Sequence, residues 1–156
     1  MSEPSVIHST FVIERSFPVP PDQVFAAFTD PAKKRRWFAE TDGLKVREFE
    51  MDFRVGGTEH SRFKIGEGPH QGTACANDTT YQDIVPNHRV VIAYTMTLGE
   101  YRMSASLATF ELLPTAKGTD LIFTEQGAYF EHSDGPQMRQ DGWRSILEKL
   151  AKELAR

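Results

Sequence analysis

The hydrophobic pattern of the chain switches period three times. Residues 8–17 are rich in β-branched and aromatic types, Thr10, Phe11, Val12, Ile13 and Phe17, and alternate approximately, which predicts a first strand. Pro18 and Pro20-Pro21 close it. Behind Pro21, which suits a first helical turn, Val24, Ala27 and Phe28 recur at helical spacing, with Asp22 near the positive helix end. Asp30-Pro31 reads as the N-cap and first-turn proline of a second short helix, Ala32 to Phe38, ending in Trp37-Phe38.

From about residue 44 to 130 the period is two. Phe49, Met51, Phe53 and Val55 alternate with Glu50, Asp52 and Arg54 as a half-buried strand that Gly56-Gly57 ends. Thr58 to Ile65, Gly72 to Val85, a strand carrying Val90, Ile92, Tyr94 and Met96, Arg102 to Leu113, and Thr119 to Tyr129 follow, separated by Gly- and Pro-containing turns. Turns every ~8–15 residues describe an antiparallel meander rather than βαβ units. After Asp134-Gly135-Pro136, the residues Trp143, Ile146, Leu147, Leu150, Ala151 and Leu154 form one helical stripe, with Lys149, Lys152 and Arg156 near the C-terminus. The order is β-α-α-β6-α.

A sheet with one apolar face must bury it, and the C-terminal helix, ~20 residues and ~30 Å long, is the only amphipathic element of sufficient length. One helix cannot fill a curved seven-stranded sheet from end to end, so an apolar cavity between the two is expected.

The residues at the joints of this order are specific: Pro31-Ala32-Lys33-Lys34-Arg35-Arg36-Trp37-Phe38 on the second helix, Val55-Gly56-Gly57 after the second strand, Tyr81 to Val91, Gly118-Thr119-Asp120-Leu121 opening the last strand, and Gly142-Trp143 with Leu147 and Leu150 on the last helix. In this order they resemble the helix-grip (SRPBCC) superfamily of START, Bet v 1-like and polyketide cyclase proteins. Within it they resemble the family named after the activator of heat-shock protein 90 ATPase. The resemblance implies an α+β helix-grip fold over a single domain, residues 1–156, with a seven-stranded curved antiparallel sheet wrapped around the C-terminal helix. It implies little about activity, since members of the superfamily range from lipid carriers to cyclases to co-chaperone domains.

Composition narrows the function classes. The chain has 156 residues, 39% hydrophobic and 26% charged, with a formal net charge of −4. No basic stripe exists for nucleic acid. The one cysteine, Cys75, excludes an intrachain disulfide, and Met1 to Ser9 lacks a signal-peptide layout, so a cytoplasmic setting is expected. No apolar run approaches the ~20 residues of a membrane span. The run Lys33-Lys34-Arg35-Arg36 reads as a solvated helix face.

No G-x-S-x-G, H-E-x-x-H, C-x-x-C or P-loop motif is present, so no catalytic residue is assigned by motif, and no cofactor is implied. The five histidines lack metal-ligand spacing; a metal site would need His60, His70 and His132 to converge with Glu125, and none is expected. Glu125 shares parity with Leu121 and Phe123 and should face inward, either as a polar anchor or acid/base in the cavity or as a strand-end carboxylate near solvent. Tyr94 lies on the parity of Val90, Ile92 and Met96, where its phenol needs a polar partner in a neighbouring strand or a ligand. His60 and Arg62 fall on the solvent parity unless the Gly56-Gly57 bulge resets it, and the facing of Arg102 stays open. Cys75 reads as a packed, inert thiol.

The leading expectation is a binding module for a small, largely apolar molecule, a lipid or aromatic metabolite. Its wall would be Trp37, Phe38, Phe53, Phe63, Tyr94, Phe123, Glu125, Met138 and Trp143. One alternative is a cyclase- or hydrolase-like enzyme using Glu125 with Tyr94 or a histidine. Another is a chaperone-associated interaction domain. Open strand edges, or the Trp37–Phe38 region, leave room for a homodimer.

Overall fold

The structure, a computed structural model, describes residues 5–41 and 43–156. The start of the stretch read for a leader, residues 1–4, lies outside the described residues. Strand β1 (Ile7–Phe17) leads into α1 (Pro21–Thr29) and α2 (Pro31–Lys34), which runs on as a π-helical turn, Arg35–Ala39. The strands β2 (Leu44–Met51), β3 (Thr58–Ile65), β4 (Ala74–Val85), β5 (Arg89–Leu98), β6 (Tyr101–Thr115) and β7 (Gly118–Tyr129) follow, then α3 (Pro136–Leu154). All seven strands form one antiparallel sheet in the order β1-β7-β6-β5-β4-β3-β2, the last strand pairing with the first. This is an α+β helix-grip fold, with α3 lying against β1, α1 and the π turn.

Local chemistry accounts for the joints. The Asp30 carboxylate caps α2 by accepting from the backbone N–H groups of Ala32 (2.9 Å) and Lys33 (3.4 Å), with Pro31 in the first turn. Gly118 turns β6 into β7 at φ 146°, where a β-carbon would lie 2.2 Å from the Phe17 carbonyl oxygen. Register shifts at Val46/Glu48, Tyr81/Asp83 and Met96/Thr97 bend β2, β4 and β5, giving the sheet its curvature. On the concave side Trp143, Leu147 and Leu150 of α3 are buried, with Trp143 stacked 4.5 Å from Phe123.

Three expectations are corrected. The second strand ends at Met51, not Val55: beyond it a tight turn forms, with Gly57 N–H bonded to the Arg54 carbonyl at 2.8 Å and Arg54 paired with Asp52. The basic run is not a solvated face. Lys34 is 6% exposed and points inward, and Arg36 forms a bidentate pair with Glu153 at 2.7 and 2.8 Å. Trp37 and Phe38 are buried, the Trp37 indole donating to the Ala27 carbonyl at 2.8 Å, so that pair offers no surface to a second copy.

Candidate functional site

The concave face carries a polar band where an all-apolar one would suffice. In the pairing register Glu59, Thr79, Tyr94 and Ser106 lie in one row across β3 to β6, and Ser61, Asn77, Met96 and Ser104 in the next. Glu59, Ser61, Asn77, Thr79, Ser104 and Ser106 are all buried. Polar groups withdrawn from water need partners; two clusters supply them for Glu59 and Ser104, while the Ser61 and Ser106 hydroxyls find none among the described residues.

The first centres on Glu125 of β7, which is fully buried. Its Oε1 accepts from the Tyr94 phenol and from Trp143 Nε1 (3.0 Å), and its Oε2 accepts from the Tyr129 phenol (3.2 Å). Trp143 Nε1 also lies 3.1 Å from the Tyr94 oxygen. Arg139 of α3 donates to Tyr94 (3.2 Å) and to Ser104 (2.8 Å), and grips Asp134 through Nε (3.0 Å) and Nη2 (2.9 Å). Burial pushes the Glu125 carboxyl above its ordinary range, against the hydrogen bonds from Tyr94, Tyr129 and Trp143 and the charge of Arg139. Burial and the adjacent Glu125 raise Tyr94 and Tyr129 as well, so both phenols keep their protons and donate them to the carboxylate. Gly135 occupies the N-cap of α3, with Pro136 in its first turn, and Asp134 holds Arg139.

The second cluster joins Lys34 to Glu59 at 2.8 Å and Glu59 to the Tyr81 phenol at 2.5 Å, all buried. The Lys34 ammonium also sits over the Phe38 ring at 4.8 Å. Burial and Glu59 together raise the Tyr81 phenol.

Between the β2–β5 half of the sheet and α3 is a pocket of about 170 Å³. Phe38, Leu44, Phe63, Met96, Trp143 and Ile146 give it apolar walls, and Met138, 65% exposed, stands at its edge. Tyr94, Asn77, Arg139 and Asp134 bring polar atoms to it. Five of the nine expected wall residues are thus at the pocket: Phe38, Phe63, Tyr94, Met138 and Trp143. The other four are elsewhere. Trp37 packs against Phe28, Phe53 against Phe25 and Tyr81, and Phe123 between Phe110 and Trp143. Glu125 touches the pocket only through Tyr94 and Trp143.

No histidine lines this pocket. His60 and Arg62 face outward and share Asp78, at 2.6 and 2.9 Å, and His132 stacks on Tyr101. Arg102 is exposed. Among the described residues no three His, Cys, Asp or Glu side chains gather as metal ligands would. Cys75 is buried, and that burial raises its thiol. Among the described residues no helix is long and apolar enough to cross a membrane.

Several site residues were within reach of the pattern. Arg139 lies one turn before Trp143 on the α3 stripe, Glu59 shares parity with Phe63, and Asn77 shares parity with Tyr81. Their polar chemistry hides that inward parity when apolar faces are sought.

Solved structures similar to this chain include the Mll3558 protein from Rhizobium loti, 51% identical with a TM-score of 0.85 over 96% of this chain and 99% of that one. Another, from Rhizobium leguminosarum, is 38% identical with a TM-score of 0.88 over 97% of each chain. An AHSA1-like protein from Aeromonas hydrophila, 18% identical over 94% of this chain and 92% of that one with a TM-score of 0.67, shares the fold. Among curated proteins none matches. The family model described as Activator of Hsp90 ATPase homolog 1-like protein matches residues 18–155, and the chain belongs to that family.

Proposed function

We propose that the chain is a binding module for a small, largely apolar molecule held between α3 and the β2–β5 half of the sheet. The observation that carries this reading is the pocket itself: about 170 Å³, walled by Phe38, Phe63, Met96, Trp143 and Ile146, with few polar atoms. A cavity near 150 Å³ accepts a benzene-sized guest. The size therefore favours a single substituted ring over a long-chain lipid. A cytoplasmic setting is in keeping with the single buried thiol, Cys75.

The enzymatic alternative draws less support. The Glu125 oxygens are occupied by Tyr94, Tyr129 and Trp143, and the carboxylate is sealed behind them. Family membership favours a second reading, a chaperone-associated interaction domain, because the family's description names an activator of Hsp90 ATPase. Its test is a pull-down and ATPase assay with purified Hsp90; no binding and no stimulation removes it.

A thermal-shift screen with single-ring aromatics and long-chain fatty acids tests the leading reading. A ligand at 100 times its Kd adds about 2.7 kcal/mol, which in a domain of this size raises Tm by roughly 5–10 °C. A ring compound should produce such a shift. If no ring compound moves Tm at millimolar concentration, the reading fails.

A further inference from the structure

We infer that the ligand of this pocket is a neutral ring-sized molecule bearing a hydrogen-bond acceptor, such as an aryl ketone, ester or amide. The inference rests on the binding reading above and names the ligand's chemistry. It follows from counting donors and acceptors at the polar end of the pocket.

Arg139 has five N–H groups. Nε and Nη2 are spent on Asp134 and Ser104, and one N–H of Nη1 on Tyr94. Among the described residues the second N–H of Nη1 has no partner, although Arg139 is 5% exposed and lines the pocket. Asn77, also buried and also on the lining, receives the Thr79 hydroxyl on Oδ1 at 3.1 Å, and its amide N–H groups find no partner among the described residues. Its neighbour across the β3–β4 ladder, Ser61, lies off the lining and is buried with a hydroxyl that has no partner among the described residues. The Arg139 and Asn77 donors open on the pocket without a protein acceptor, and a guest oxygen placed there would satisfy them.

Tyr94 cannot be that donor. Its proton is committed to Glu125, and Arg139 and Trp143 already approach its oxygen. The unmet groups on the pocket lining, at Arg139 and Asn77, are N–H donors, so the guest must bring an acceptor.

The charge balance sets the second half. The Arg139 guanidinium is already matched by the Asp134 carboxylate on two hydrogen bonds, and Asp134 itself lies on the pocket wall. Glu125 stands one phenol away. An anionic guest would enter a site whose one cation is neutralised and whose nearest other charges are negative, so a carbonyl is preferred over a carboxylate.

Three probes of one size, acetophenone, ethylbenzene and benzoate, decide the matter by calorimetry and thermal shift on the full chain. Acetophenone should bind ~10-fold or more tightly than ethylbenzene, the ratio expected for one hydrogen bond from a charged donor. It should also bind more tightly than benzoate. In Asn77→Ala the acetophenone-to-ethylbenzene ratio should fall, whereas a merely structural role for Asn77 would weaken both probes alike. Equal binding of acetophenone and ethylbenzene would leave the binding reading standing and overturn this inference, as would benzoate binding as well as acetophenone. Binding of none of the three overturns both.

Discussion

Gly127 lies beneath the ring of Tyr129, so close that a β-carbon at position 127 would sit 2.8 Å from that ring. The glycine is what lets the phenol fold back along β7 and reach Glu125 at 3.2 Å. Gly127→Ala should therefore displace Tyr129 and strip one donor from the buried carboxylate. A cost of about 1–3 kcal/mol is expected from crowding a filled interior, read as a lower urea midpoint. Tyr129→Phe, which removes the hydroxyl and keeps the ring, should lose less, and Gly127→Ala on that background should still clash.

Glu125 gives the fold a pH signature. Burial raises its carboxyl above the ordinary 4.5, against the Tyr94, Tyr129 and Trp143 hydrogen bonds and the Arg139 charge, so between 4.5 and the folded-state value the native state binds a proton that the unfolded chain does not. Stability from this group is fully present below 4.5 and declines as pH rises through the raised value. Glu125→Gln, an uncharged isostere, should flatten that decline while keeping the Tyr94 and Trp143 bonds. Urea denaturation at intervals across the acid-to-neutral range measures the slope; an unchanged slope in the variant would assign it to other groups.

The helix-grip architecture was legible because it rests on periodicity. Strand β3 falls at Thr58–Ile65 as the alternation predicts, and α3 starts at Pro136 behind its glycine. The polar interior was legible only where a residue's parity was read against its chemistry. The parity of Glu125 with Leu121 and Phe123 puts it on the inner face; it is fully buried, so the alternative of a strand-end carboxylate near solvent does not hold. Lys34 was read with its charged neighbours along the chain, whereas the helical turn puts it on the face of Trp37 and Phe38, over whose rings its ammonium lies. Arg139 is hidden in the same way: it lies one turn before Trp143, the first apolar member of the α3 stripe, and shares its buried face. Phe53 and Phe123, apolar as expected, are consumed by packing partners that no local pattern identifies.

The Lys34–Glu59–Tyr81 cluster should behave as a buried ion pair. Lys34→Met removes the ammonium and leaves Glu59, 2% exposed, with only the Tyr81 phenol. Breaking one side of such a pair costs about 3–5 kcal/mol, whereas replacing both charges is often near neutral. Lys34→Met alone should thus be strongly destabilised in guanidinium melts, and Lys34→Met with Glu59→Gln should recover much of the loss. If the double variant is no better than the single, the pair is not the origin of the cost.

Gly142 is the odd residue of α3. It lies mid-helix between Arg139 and Leu147, at a position where a β-carbon would meet nothing within 4 Å, and it needs no left-handed backbone. A helix-interior glycine without a steric reason costs stability, because it restricts the unfolded chain least and the helix gains no side chain from it. Gly142→Ala should raise stability by about 0.5–1 kcal/mol, seen as a higher urea midpoint with an unchanged slope. Gly142 also lines the pocket, so the same variant carries a second readout. If affinity for acetophenone falls as stability rises, the absent side chain belongs to the pocket's shape; if affinity holds, the glycine is free to change.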